Sequence, residues 1–92
     1  KLKNKEFRKV FELERAKVSL AQKIAELRKE SNLKQADLAK KMHVSQQFIS
    51  QIETAQEINL TLDTLISIAK SLNRCIKISF EKDTGGKVLF IK

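Results

Sequence analysis

Phe7, Val10, Phe11, Glu14 and Val18 recur at steps of three and four residues with a single polar member, the spacing of one face of an α-helix. Ser19 followed by Gln22 has the form of a capping box, so the pattern predicts a second helix that starts there and carries Leu20, Ile24 and Leu27 on one face. That helix should end near Asn32, a residue that tolerates the left-handed conformation at a helix C-terminus. A short helix from about Lys34 to Met42 follows, with Leu38, Ala39 and Met42 inward, then a tight connection at His43 and Val44. Ser45 is placed to cap the next helix, which buries Phe48 or Ile49 together with Ile52 and turns Gln46, Gln47, Ser50 and Gln51 outward. Thr61 caps a further helix with Asp63 in its first turn, where a carboxylate complements the macrodipole. Its core face should hold Leu62, Leu65, Ile66, Ala69 and Leu72.

After Asn73 the period changes. Ile76, Ile78 and Phe80 alternate with Lys77, Ser79 and Glu81, the mark of a strand with one buried face. The two glycines of "KDTGGK" supply a tight turn and "KVLFIK" a return strand, giving a C-terminal β-hairpin. A solitary hairpin is marginal in water, so this one is expected to pair with, or pack on, another chain. The expected fold is all-α, with five helices and a short hairpin: an N-terminal helix over 1–18, a helical domain over 19–73 and the hairpin over 74–92.

Composition narrows the function classes. The 92 residues are expected to form one domain, and 41% hydrophobic with 33% charged residues fits a soluble chain without a membrane segment. The basic start, "KLKNKEFRK", has no apolar stretch behind it, so no secretory signal is visible and a cytoplasmic location is expected. A lone cysteine, Cys75, closes no intramolecular disulfide and reads as a small apolar side chain in or near a strand. One histidine, no glycine-rich phosphate loop and no nucleophile-base pair argue against an enzyme: no catalytic residue, metal site or cofactor is expected.

The net charge of +8 invites a polyanion, but its distribution matters more than its sum. Seven basic residues face three acids between Lys1 and Lys17, which is half the excess. Between Ser31 and Glu57, Lys34, Lys40 and Lys41 are balanced by Asp37, Glu53 and Glu57. Charge by itself therefore settles nothing about nucleic acid.

Two short helices joined by a tight turn, the second opening with polar side chains, make a helix-turn-helix: one helix crosses the phosphate backbone and its successor enters the major groove. Ala39 has to be small where the helices cross, Val44 and Ile49 have to be apolar to pin them together, and Ser45 has to cap. The stretch "NLKQADLAKKMHVSQQFISQIE" closely resembles the XRE/Cro-like, lambda-repressor-like helix-turn-helix family through Leu33, Gln35, Leu38, Ala39, Val44, Ser45, Ile49, Ser50 and Glu53. The resemblance runs on through "LDTLISIAKSL". It implies that Gln35 meets a phosphate and that Gln46, Gln47, Ser50 and Gln51 face double-stranded DNA, with Lys34, Ser45 and Thr54 at the edges of that surface. A glutamine amide presents a donor beside an acceptor and so matches adenine N6 and N7. His43, Lys34, Ala55 and Leu60 depart from the family, standing where glycine, a capping Ser or Thr, glycine and proline are common.

The N-terminal "EFRKVFELERAKVSLAQKIAELRKE" and the terminal "NRCIKISFE" are similar in layout to HigA-type antitoxins. That likeness implies a small RelE-like ribonuclease toxin as partner and a homodimer that represses its own operon at an inverted repeat. Phe7, Val10 and Phe11 would then bind the toxin, or else complete the domain's own core. Leu65, Ile76, Ile78 and Phe80 are the candidate dimer contacts. The alternatives are a stand-alone repressor and a protein-binding adaptor of the same fold; an adaptor has no need for Gln46 and Gln47 on an outward face.

Overall fold

The computed structural model describes residues 2–56 and 60–82, with side chains in the first helix described from Leu13 onward. Four helices make up the described residues: α1 over Leu2–Glu30, α2 over Gln35–Met42, α3 over Gln46–Glu53 and α4 over Leu62–Ser71. None of them is long and apolar enough to cross a membrane.

The first two expected helices are one. Between Lys17 and Gln22 stand Val, Ser, Leu and Ala, with neither glycine nor proline to break the backbone, and the surrounding Ala, Leu, Lys, Glu and Gln are strong helix formers. Ser19 sits exposed in the middle of α1, where its capping pattern has no helix end to serve. The described residues therefore hold four helices, with no separate N-terminal helix among them.

Each helix closes in the same way. Asn32, His43, Ala55 and Asn73 follow the four helices with φ of 58°, 58°, 55° and 57°. In each case the next N–H reaches back five residues, as in Leu33 to Arg28 O at 3.2 Å, Val44 to Ala39 O at 2.9 Å, Gln56 to Gln51 O at 3.1 Å and Arg74 to Ala69 O at 2.7 Å. This is the Schellman arrangement, which ordinarily uses glycine. The chain has only two glycines, both at 85 and 86, so asparagine, histidine and alanine hold the left-handed positions instead. The cost falls hardest on Ala55, about 1–2 kcal/mol, since it has no polar side chain to bond locally.

Helix starts follow the sequence more closely. Ser45 Oγ accepts the Phe48 N–H at 3.1 Å and Thr61 Oγ accepts the Thr64 N–H at 3.2 Å. Lys34 precedes α2 with only donors on its ammonium, and the missing cap is partly offset by Asp37, whose Oδ2 accepts the Lys34 N–H at 2.9 Å.

The core gathers Ile24 of α1, Leu38 and Ala39 of α2, Ile49 and Ile52 of α3, and Ile68 and Leu72 at the end of α4. Leu38 and Ile49 are fully enclosed, and Phe48 packs half-buried beside them. α2 packs on α3 and α4, while α1 packs on α3. Helix α4 sits one stripe away from expectation: Leu65, Ile68 and Leu72 face the core, whereas Leu62 and Ile66 are exposed. Both stripes are apolar, so the sequence pattern left the phase of this helix open.

Residues 74–82 carry neither helix nor strand, and Cys75, Ile76, Ile78 and Phe80 are exposed. The turn and return strand of the expected hairpin, residues 83–92, lie outside the described residues. Among the described residues there is no strand; a ladder needs a neighbouring strand, and the described residues supply none to the alternating segment.

Candidate nucleic-acid interface

The geometry of α3 divides its residues into two arcs. At about 100° per residue, Gln46, Gln47, Ser50, Gln51 and Thr54 fall within roughly 140°, while Phe48, Ile49 and Ile52 lie on the opposite side. Burial agrees with that division. Gln46, Gln47 and Thr54 are exposed and Ser50 and Gln51 half-buried, whereas Ile49 and Ile52 are buried. The left-handed His43 and the cap at Ser45 set the turn, so the polar arc begins at the N-terminus of the helix and projects away from the core.

Some of the candidate residues are engaged within the fold. Ser45 Oγ is occupied by its cap, and Thr54 Oγ donates to Ser50 O at 2.8 Å. Gln35 is half-buried at the first position of α2, and its Nε2 donates to Glu53 Oε1 at 3.1 Å. Lys34 is exposed beside it, and Lys40 and Lys41 are exposed at the other end of α2.

Glu53 is the centre of a network that holds this surface in place. Arg28 grips it with two bonds, Nε to Oε2 at 2.6 Å and Nη2 to Oε1 at 3.0 Å, and uses Nη1 to donate to Leu33 O at 2.6 Å. Both side chains are largely enclosed, 10% and 6% exposed. One carboxylate thus ties the end of α3 to α1 and to the start of α2, and among the described residues no buried side-chain nitrogen or oxygen is left without a partner. Arg28 was not among the residues singled out from the sequence. The signal was present: Ala21, Ile24 and Arg28 share one face at steps of three and four, so the arginine interrupts a buried stripe.

The remaining candidates lie apart from this surface. Phe7, Val10 and Phe11 belong to α1, but their side chains lie outside the described residues. Leu65 packs partly buried against the core, while Leu62 and Ile66 stand exposed on α4. Ile76, Ile78 and Phe80 stand exposed on the far side of the sequence from the motif.

A family model described as helix-turn-helix matches residues 24–75, more than half of the chain. No curated protein matches it.

Proposed function

The chain belongs to the helix-turn-helix family, of the XRE/Cro-like type, and from that premise we propose that it represses transcription as a two-fold homodimer whose α3 helices read an operator. Membership of the family makes it a sequence-specific DNA-binding regulator. The observation that carries the finer reading is the exposed amide pair, Gln46 and Gln47, at the N-terminus of a capped helix whose other face is buried. In this reading the two amides bond to base edges in the major groove, with Ser50, Gln51 and Thr54 along the same arc. Lys34 and the α2 N-terminus meet phosphates. Gln35 gives one amide hydrogen to Glu53 and keeps the second for a phosphate oxygen. The protein acts by binding, in the cytoplasm where the chromosome is accessible.

Two-fold symmetry places the α3 helices in successive major grooves, about 34 Å apart. Selection from random duplexes followed by footprinting should therefore return an inverted repeat with half-site centres one helical turn apart. Recovery of single, unrepeated sites would remove the dimer from this account.

An antitoxin role is the second proposal, supported by α1. Leu13 and Val18 are 50% and 43% exposed on a helix that continues beyond its contact with α3, a surface suited to a partner such as a small RelE-like ribonuclease. Co-expression with a small basic protein encoded beside this one should give a complex, lost on deleting residues 1–15 while operator binding persists. A complex that survives the deletion would move the interface off α1; the absence of any such complex would favour a stand-alone repressor.

A further inference from the structure

Glu53 receives more hydrogen bonds than its charge requires. Arg28 already meets both carboxylate oxygens, Nε at Oε2 and Nη2 at Oε1, so the ion pair is complete without a third partner. Gln35 nonetheless donates from Nε2 to Oε1 at 3.1 Å, across 18 positions of the chain. This bond joins the first residue of α2 to the last residue of α3.

Its consequence follows from where Glu53 sits on α3. Gln46 and Glu53 are the two ends of the helix, and at about 100° per residue the turn between them is roughly 20° short of two full circles. Glu53 is therefore nearly in line with Gln46, at the border between the polar arc and the buried Ile49. A bond that holds Glu53 sideways sets the angle at which Gln46 and Gln47 face outward.

We propose that Gln35 determines specificity without touching a base: one amide hydrogen grips Glu53, the other a phosphate oxygen, and the amide so fixes the angle of α3 against the DNA backbone. This rests on the base reading proposed above and adds a positioning residue to it. An amide suits the task because it carries two donors on one planar group. Lys34 stands at the same helix end, but its N–H bonds to Asp37 of its own helix. A phosphate contact at Lys34 adds affinity for any duplex, whereas the contact at Gln35 is passed on to the reading helix.

The test is a double-mutant cycle on the full chain: wild type, Gln35→Met, Gln46→Ala/Gln47→Ala and the triple variant, each titrated against operator and scrambled duplex at one salt concentration. Methionine keeps the bulk of glutamine, removes both donors and leaves the Arg28–Glu53 bonds in place; urea unfolding checks that the fold is kept. Gln35→Met should lower the ratio of operator to scrambled affinity about tenfold, within the range of couplings inside one hydrogen-bond network. In the Gln46→Ala/Gln47→Ala background the same change should leave the ratio nearly unmoved, because the amides it aims are gone. A purely structural role, or a plain phosphate contact, would weaken both duplexes alike in both backgrounds. An unchanged ratio for Gln35→Met would therefore overturn the proposal, and so would a loss of equal size in the triple variant. A methylphosphonate scan of the operator backbone reads the other end of the amide in the wild type itself. It should find a phosphate in each half-site whose neutralisation weakens the wild type and leaves Gln35→Met indifferent; identical scans for the two proteins would overturn the phosphate grip. A wild-type ratio for Gln46→Ala/Gln47→Ala alone would instead bring down the base reading, whatever Gln35→Met does.

Discussion

Glu53→Ala is expected to lower the free energy of unfolding by about 3–5 kcal/mol, because it leaves the Arg28 guanidinium enclosed and uncompensated. That is a large share of the roughly 5–15 kcal/mol that holds a typical small domain together. The size of the effect follows from burial and geometry: two direct bonds at 2.6 and 3.0 Å between side chains 10% and 6% exposed. By contrast, the Glu14–Lys17, Glu26–Lys23 and Glu30–Arg74 pairs are largely solvated at 3.7, 3.9 and 3.4 Å and should be nearly silent when truncated. Removing both partners of the enclosed pair is a different experiment. Arg28→Met with Glu53→Leu replaces the charges by apolar groups of similar bulk and should recover most of the loss, since neither ion is then stranded. Urea unfolding of the three proteins decides the matter: a Glu53→Ala cost below about 1 kcal/mol would mean that the network does not hold α3.

The double variant also separates stability from specification. The carboxylate joins α3 to α1 directly and to α2 through Gln35. An apolar replacement restores burial without restoring direction, so a stable Arg28→Met/Glu53→Leu protein should still bind its operator less selectively than the wild type.

How much of this was visible in the sequence depends on whether the signal was local. The turn at His43, the caps at Ser45 and Thr61 and the two arcs of α3 were legible, because each is fixed by a few neighbouring residues whose chemistry allows little else. The break expected at Ser19 was misread because a capping pattern has meaning only at a helix end, and nothing between Lys17 and Gln22 ends the helix. The phase of α4 was ambiguous because Leu62 and Ile66 are as apolar as Leu65 and Ile68; tertiary packing, absent from any short window, chose between the stripes. Arg28 went unnoticed because its partner is 25 residues away. The alternation of residues 76–80 was read correctly as a pattern, but a strand exists only with a neighbour to bond to.

The second large effect concerns recognition. An amide bonded to adenine N6 and N7 discriminates by about 1–3 kcal/mol, so Gln46→Ala with Gln47→Ala in a two-fold dimer should remove most of the preference for the operator over random DNA. The loss is expected to exceed a hundredfold at a fixed salt concentration, roughly 1.4 kcal/mol per factor of ten over four amides. Neither glutamine is enclosed, so the fold should be unaffected. Lys34→Ala serves as the control, since a phosphate contact contributes to every duplex alike. The decisive measurement is a pair of titrations for each protein, one against the selected operator and one against a scrambled duplex of the same length and salt. The account predicts a collapsed ratio of affinities for the glutamine variant and an unchanged ratio, with weaker binding throughout, for Lys34→Ala; equal weakening on both duplexes by the glutamine variant would contradict it.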